Sequence, residues 1–246
     1  MARIHAKATA HYVDEFDFSG VSNQAELLVD SDIADATAFA DTDMTYVQGK
    51  GRFNFNFQGF FDGTGGYDSE MFTDLTATQR SVGIFTDNVA GQYGYEGQTN
   101  PSRQARAANI GAATTLNVDW IGDALVYRAV LIDVDTAVAA SANGTEREYG
   151  GSSSSETLRG VMRVLAAPGG AGNNTLDVKI QSDTTGFGSP TDRLTFTQLD
   201  QTTVAHFELQ TSATAVTDTF WRVVYTYAGA GSRTFSIVLS FGIYLT

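Results

Sequence analysis

The chain has 246 residues and no cysteine, with 28 acidic side chains against 15 basic ones and a formal net charge of -13. The missing thiols exclude disulfides and any thiolate-based zinc, iron–sulfur or nucleophilic site, and the acidic balance excludes a tight, sequence-specific grip on phosphate backbones. Hydrophobic residues at 42% against charged residues at 17% give enough apolar material for a real core and exclude a disordered solvating chain.

The first eleven residues carry Arg3, His5, Lys7 and His11 among small side chains, without the apolar run of a signal peptide, and no stretch approaches the roughly 18 apolar residues of a membrane span. The expectation is a soluble protein made in a cytoplasm, without a membrane partner. Lysine is confined to Lys7, Lys50 and Lys179, so there is no basic stripe to hold DNA. An acidic wall suits a conduit that must let DNA slide, and equally suits plain solubility or adaptation to salt.

In chain order, Asp30, Asp32, Asp35, Asp41 and Asp43 crowd one loop-and-strand region. Their spacing matches no EF-hand, so they read as a solvated or lumen-facing segment rather than a cation site. Residues 36–61 read as a long hairpin, with the bend at Gly49-Lys50-Gly51, where glycine permits a positive φ. Within it Phe53, Phe55 and Phe57 alternate with Asn54 and Asn56, the period of a strand with one apolar face. Phe60 and Phe61 follow, and core packing explains this aromatic run better than a stacking platform.

Residues 67–77 are the one helix candidate: Asp68 or Ser69 can cap, Glu70 sits in the first turn, and Met71, Phe72 and Leu75 share a side. A strand-like run at residues 124–132 then gives way to small residues at 133–143, and a second soft stretch follows at 150–155. Either can be the joint; placing it near Val134 leaves a C-terminal part of standard sandwich size. Further strands alternate at Leu176, Val178 and Ile180, at Trp221, Val223 and Tyr225, and from Phe235 to Leu245, with a glycine-rich loop at residues 168–174. The reading is all-β: two consecutive sandwich- or barrel-like domains, residues 1–133 and 134–246, the first with a short flanking helix and a long hairpin.

Catalytic constellations are missing. His5, His11 and His206 are far apart, and no His-Glu-x-x-His pattern exists. Gly63 to Gly66 and Gly169 to Gly172 lack the spacing and lysine of phosphate-cradling loops. There is no Gly-x-Ser-x-Gly elbow, and Ser152 to Ser155 read as a surface segment. We therefore expect no enzyme activity, no cofactor and no metal. Trp120, Trp221, Tyr93 and Tyr95 leave open a carbohydrate-binding sandwich as an alternative.

Two stretches carry a family resemblance. Residues 13–62 resemble viral tail tube proteins in the order of Asp17-Phe18-Ser19-Gly20, a strand at 23–29, Ala36-Thr37-Ala38-Phe39-Ala40-Asp41, Tyr46, a glycine-containing turn at 49–51 and a strand closing in Gly59-Phe60-Phe61-Asp62. Residues 175–242 are similar to a C-terminal domain of some such tail proteins and related virion proteins. The marks there are Leu176-Asp177-Val178-Lys179-Ile180, Leu194-Thr195-Phe196-Thr197, Thr217-Asp218-Thr219-Phe220-Trp221-Arg222-Val223 and the run from Phe235 to Gly242. Residues 83–120 depart from the pattern.

The resemblance implies a β-sandwich with a flanking helix that forms rings, usually of six subunits, whose inner strands join into one barrel around a DNA channel; the rings then stack. It implies a homo-oligomer in a virion tail, other tail proteins as partners, and viral DNA passing without sequence-specific binding. Asp30, Asp32, Asp35, Asp41, Asp43, Lys50 and Arg52 are then candidates for the lumen or ring contacts. Phe39, Tyr46, Gly49, Gly51, Phe53, Phe55 and Phe57 belong to the candidate oligomer hairpin, and residues 134–246 form an outer sandwich. A capsid decoration or other virion protein is the nearest alternative.

Overall fold

The computed structural model describes residues 9–37, 43–44, 46–60, 79–107, 114–122, 126–166, 169, 173–229 and 233–245. These residues form strands, turns and irregular segments, with no helix among them. The fold is all-β. The helix expected at 67–77 lies outside the described residues. The strands begin with β1 (Ala10–Val13), β2 (Phe16–Asp17), β3 (Ser22–Asp35), β4 (Tyr46–Phe60), β5 (Arg80–Phe85) and β6 (Tyr93–Ala107). They continue with β7 (Thr115–Gly122), β8 (Tyr127–Val138), β9 (Ala142–Asn143), β10 (Arg147–Glu148), β11 (Glu156–Ala166) and β12 (Thr175–Asp183). The last are β13 (Thr191–Thr195), β14 (Leu199–Asp200), β15 (His206–Ser212), β16 (Phe220–Ala228) and β17 (Phe235–Leu245).

The chain divides into two compact units: unit 1 holds Met1–Ser19, Gly83–Glu96 and Tyr127–Thr246, and unit 2 holds Gly20–Val82 and Gly97–Val126. Strands β5 and β6 contribute residues to both. Position 134, where composition suggested a joint, lies inside β8.

Unit 1 is a two-sheet sandwich. One sheet runs in the order β15-β11-β17-β8-β6-β5-β1-β2 and the other β10-β16-β12-β13, with β9 also on β16 and β14 also on β12. Alternation turns Leu176, Val178 and Ile180 of β12 and Trp221, Val223 and Tyr225 of β16 inward. They meet Leu158, Met162 and Val164 of β11 and Ile237, Leu239 and Phe241 of β17. Each such buried side chain contributes about 1.5–3 kcal/mol. Gly160 sits where the sheets come close: a Cβ there would lie 2.8 Å from Leu194 Cδ1.

The opposite face of β8, β11 and β17 is also covered, because the long sheet curls until β2 approaches β11. Tyr12, Phe85, Tyr127, Ala129, Leu131 and Val238 form this second core. Coverage on both faces explains why β11 is buried almost throughout instead of alternating. Its Arg163 enters that interior and lies 2.6 Å from Glu96. Tyr127 donates to Glu96 Oε2 at 2.7 Å, and Arg163 donates to Ser240 Oγ at 3.2 Å. Arg163 and Arg159 also stack over the rings of Tyr12 and Tyr127, at 5.3 and 5.1 Å. Burial, and then the Glu96 charge, holds the Tyr127 hydroxyl well above the ordinary tyrosine range.

Unit 2 is an antiparallel sheet in the order β3-β4-β7 followed by the C-terminal part of β6. Phe53, Phe55 and Phe57 of β4 and Leu116, Val118 and Trp120 of β7 are buried. The Phe57 and Trp120 rings meet edge to face at 6.3 Å. Gly97 and Gly122 make room for Phe53, since a Cβ at either would fall 2.7 or 2.4 Å from its ring. Pro101 is tolerated in β6 because the register shifts just after it, leaving Ser102 as an extra residue whose hydroxyl donates to the Asp119 carbonyl at 2.9 Å.

The bend expected at Gly49-Lys50-Gly51 is absent: all three lie within β4, which pairs antiparallel with β3. Ser31 pairs with Gly51 and Ile33 with Gln48, so Gly49 and Lys50 together oppose Asp32. The glycine-rich triplet is a β-bulge, a feature that glycine accommodates as readily as a turn.

Candidate assembly surface

Strand β3 is an edge. It pairs with β4 from Ser22 to Asp35 and has no second sheet neighbour among the described residues. Fourteen residues of strand are roughly 45 Å long at about 3.3 Å each. Folded proteins seldom leave so long an edge without a partner or a blunting device. Leu28 and Val29, at its middle, are 38% and 62% exposed.

One face of the unit 2 sheet is polar, and the ladder register sets its rows. Glu26 pairs with Asn56, Asn56 with Asp119 and Asp119 with Arg103. A neighbouring row runs from Gln24 through Gln58 to Asn117. These seven side chains line a shallow depression of about 270 Å³ with Phe57. Arg103 and Asp119 approach to 3.7 Å, an exposed pair worth about 0–1 kcal/mol. The face mixes amides with both signs of charge, so it offers phosphates no continuous cationic track.

The residues singled out by sequence are distributed over this unit. Asp30 is exposed and is the cross-strand partner of Arg52, also exposed, on the polar face. Asp32 lies in β3 opposite the bulge, and Lys50 lies in the bulge itself. Asp35 ends β3 and accepts from the Thr37 hydroxyl at 2.5 Å and its amide at 2.9 Å, which holds its carboxyl below the usual range. Asp43 is exposed; Asp41 and Phe39 lie outside the described residues. Tyr46 is exposed and donates to Met44 Sδ at 3.1 Å. Gly49 and Gly51 flank the bulge, while Phe53, Phe55 and Phe57 point into the core of unit 2, away from the polar face.

The structure thus brings Asp30 and Arg52 together but separates them from the phenylalanines. Sequence reasoning passed over Glu26, Arg103, Asn117 and Asp119. The signal for the last two was the alternation Leu116-Asn117-Val118-Asp119-Trp120, which matches β4 and marks a second strand with one polar face. Among the described residues no cluster of three or more histidine, aspartate or glutamate side chains is placed to hold a metal ion. Nor is any helix among them long and apolar enough to cross a membrane.

No family model and no curated protein sequence matches the chain. Among solved structures it is similar to the SPP1 Dit (gp 19.1) protein, described as a paradigm of the hub adsorption apparatus in Gram-positive infecting phages. Identity is 9% over 96% of this chain and 99% of that one, with a TM-score of 0.37. It is also similar to chains of the phage P2 baseplate in its activated conformation with Ca (8% identity, 94% and 97% covered, TM-score 0.35) and of the phage p2 baseplate with Sr (7%, 94% and 97%, 0.34). Likeness at this level transfers neither a fold nor a function to this chain.

Proposed function

We propose that the chain is a structural, non-enzymatic subunit of a viral tail, and that its specific role is to build the tail tube from stacked, six-membered rings around a DNA channel. The observation that carries this reading is the edge of β3, a long strand with one neighbour among the described residues and two exposed apolar side chains at its middle. The ordered motifs across residues 13–62 point the same way. Completing β3 with a strand of another copy satisfies its backbone groups and covers Leu28 and Val29.

Charge favours a ring over a two-fold dimer. Pairing β3 with its own copy, antiparallel and centred on Leu28, would set Glu26 against Asp30 on both sides, and like charges directly opposite are destabilising. Pairing with a different segment avoids this clash. Such a head-to-tail contact generates rings when the rotation closes. The polar face, with Asp30 and Arg52 at its rim, would then border the channel together with Asp32, Asp35, Asp41 and Asp43, holding passing DNA weakly. Unit 1, which holds Tyr127–Thr246, would meet other tail proteins.

Negative-stain electron microscopy of the concentrated protein tests this. Hollow rings stacked into tubes are the expected result. Single rings that never stack would remove the tube role and leave the ring; isolated knobs or trimers would favour a capsid decoration and overturn the reading.

A further inference from the structure

Unit 1 carries an exposed surface that the proposed β3 contact does not involve. Tyr93 and Tyr95 of β6 fall on one face of the strand and are 43% and 49% exposed. Gly94 between them turns inward, where a Cβ would lie 2.1 Å from the Ile84 carbonyl oxygen. The two rings border an open groove of about 470 Å³, whose wall also includes Ile84, Thr86 and Arg128. Beyond Tyr93 and Arg128 a smaller depression of about 180 Å³ continues to Tyr149.

Arg128 is the informative residue. Its guanidinium lies over the Tyr93 ring, 4.1 Å from the centroid, and it has no carboxylate partner among the described residues. An exposed, ring-held guanidinium without an acid is unexpected in a chain of net charge -13. The ring holds the guanidinium in place, and its planar fork can take an anion bidentately. Tyr149, which also lines the smaller depression, has a buried hydroxyl without a hydrogen-bond partner, and the cation that acts on it is Arg147 rather than Arg128.

We infer that this groove binds a carboxylate-bearing saccharide: the sugar acid on Arg128, which Tyr93 holds from beneath, and the apolar face of a sugar ring on the exposed Tyr95. The groove is concave and within the size range of small-ligand sites, whereas a protein partner needs a patch of about 800 Å² per side. The carboxylate requirement follows from Arg128, and the ring requirement from Tyr95.

Ligand-observed saturation-transfer NMR, which tolerates large assemblies, decides the matter with a glucuronate-containing trisaccharide and its neutral glucose counterpart as probes. The acidic probe should bind about tenfold more tightly than the neutral one, the difference that a charge-assisted hydrogen-bond pair supplies. Arg128→Gln should erase that preference, and Tyr95→Ala should weaken both probes; both side chains are exposed, so circular dichroism should be unchanged. Equal binding of the two probes, identical signals in Arg128→Gln, or no saturation transfer at all would overturn the proposal. So would a glutamate tripeptide that competes as well as the acidic sugar, since it would show carboxylate recognition without the sugar.

Discussion

The guanidinium of Arg163 and the carboxylate of Glu96 stand 2.6 Å apart with 1% or less of either side chain exposed. Strands β11 and β6 bring them together inside the curled sheet of unit 1, and Tyr127 and Ser240 supply further hydrogen bonds. A buried pair adds little beyond what an apolar pair would give, but removing one member leaves an uncompensated buried charge. Glu96→Gln or Arg163→Met should therefore destabilise the protein by about 3–5 kcal/mol. The double variant Glu96→Leu with Arg163→Met should recover most of that loss. Urea midpoints of the three variants test the coupling.

Removing only the Tyr127 hydroxyl is a milder change. Tyr127→Phe takes one donor from Glu96 while keeping the ring in the core, and should cost about 1–3 kcal/mol. Thermal unfolding followed by circular dichroism measures this.

His11 gives the fold a pH dependence. Burial, only partly opposed by Asp17, lowers its pKa from 6.5 to about 4. In that interval the unfolded chain binds the proton and the folded chain does not. Stability is therefore complete above about pH 6.5 and falls as the pH drops towards 4, by on the order of 3 kcal/mol. Denaturant titrations at several pH values should show this slope in the native protein and a reduced slope in His11→Leu.

The unit 2 core rests on β4. Phe55 is 1% exposed, and Phe55→Ala should cost about 3–5 kcal/mol through lost burial and the cavity left behind. Gly122→Ala acts in the opposite way, pressing a Cβ to 2.4 Å from the Phe53 ring, and should cost about 1–3 kcal/mol through overpacking. Tryptophan emission from Trp120, packed on Phe57, would follow both changes.

How much of this was legible in the sequence depends on how local each signal is. Strands β4, β12 and β16 showed themselves by two-residue alternation, because each has one face on a core and a regular pattern on the other; β17, though buried on both faces, alternated because small residues at 236, 240 and 242 separate its large apolar ones. Strand β11 did not, since both of its faces are covered and two arginines interrupt its apolar run. The pairing of Arg163 with Glu96 had no local signal at all, for the strands carrying them are far apart in the chain. The same distance hides the interleaving of the two units, which is set by non-local strand neighbours and not by composition. At Gly49 to Gly51 the residues were right for a special backbone, but a turn and a bulge use the same glycines, and only the register against β3 separates them. The polar rows of unit 2 were half visible: alternation gave the faces, while pairing gave the rows.

The edge of β3 should tolerate a charge in the isolated subunit and reject it in the assembly. Val29→Lys places a cation at an exposed position of an edge strand, a device that blocks strand addition. Monomer stability should change by no more than about 0.5 kcal/mol, while sedimentation velocity should show the large species lost.

Amide hydrogen exchange across β3, compared between dilute and assembled protein, tests most directly whether a neighbouring copy completes that strand. The account predicts that the alternate amides between Glu26 and Asp30 that point away from β4 slow strongly on assembly, while those of the already paired β12 and β16 do not change. If β3 exchanges equally fast in both states, its edge is not the assembly contact, and the proposed mode of self-association is wrong.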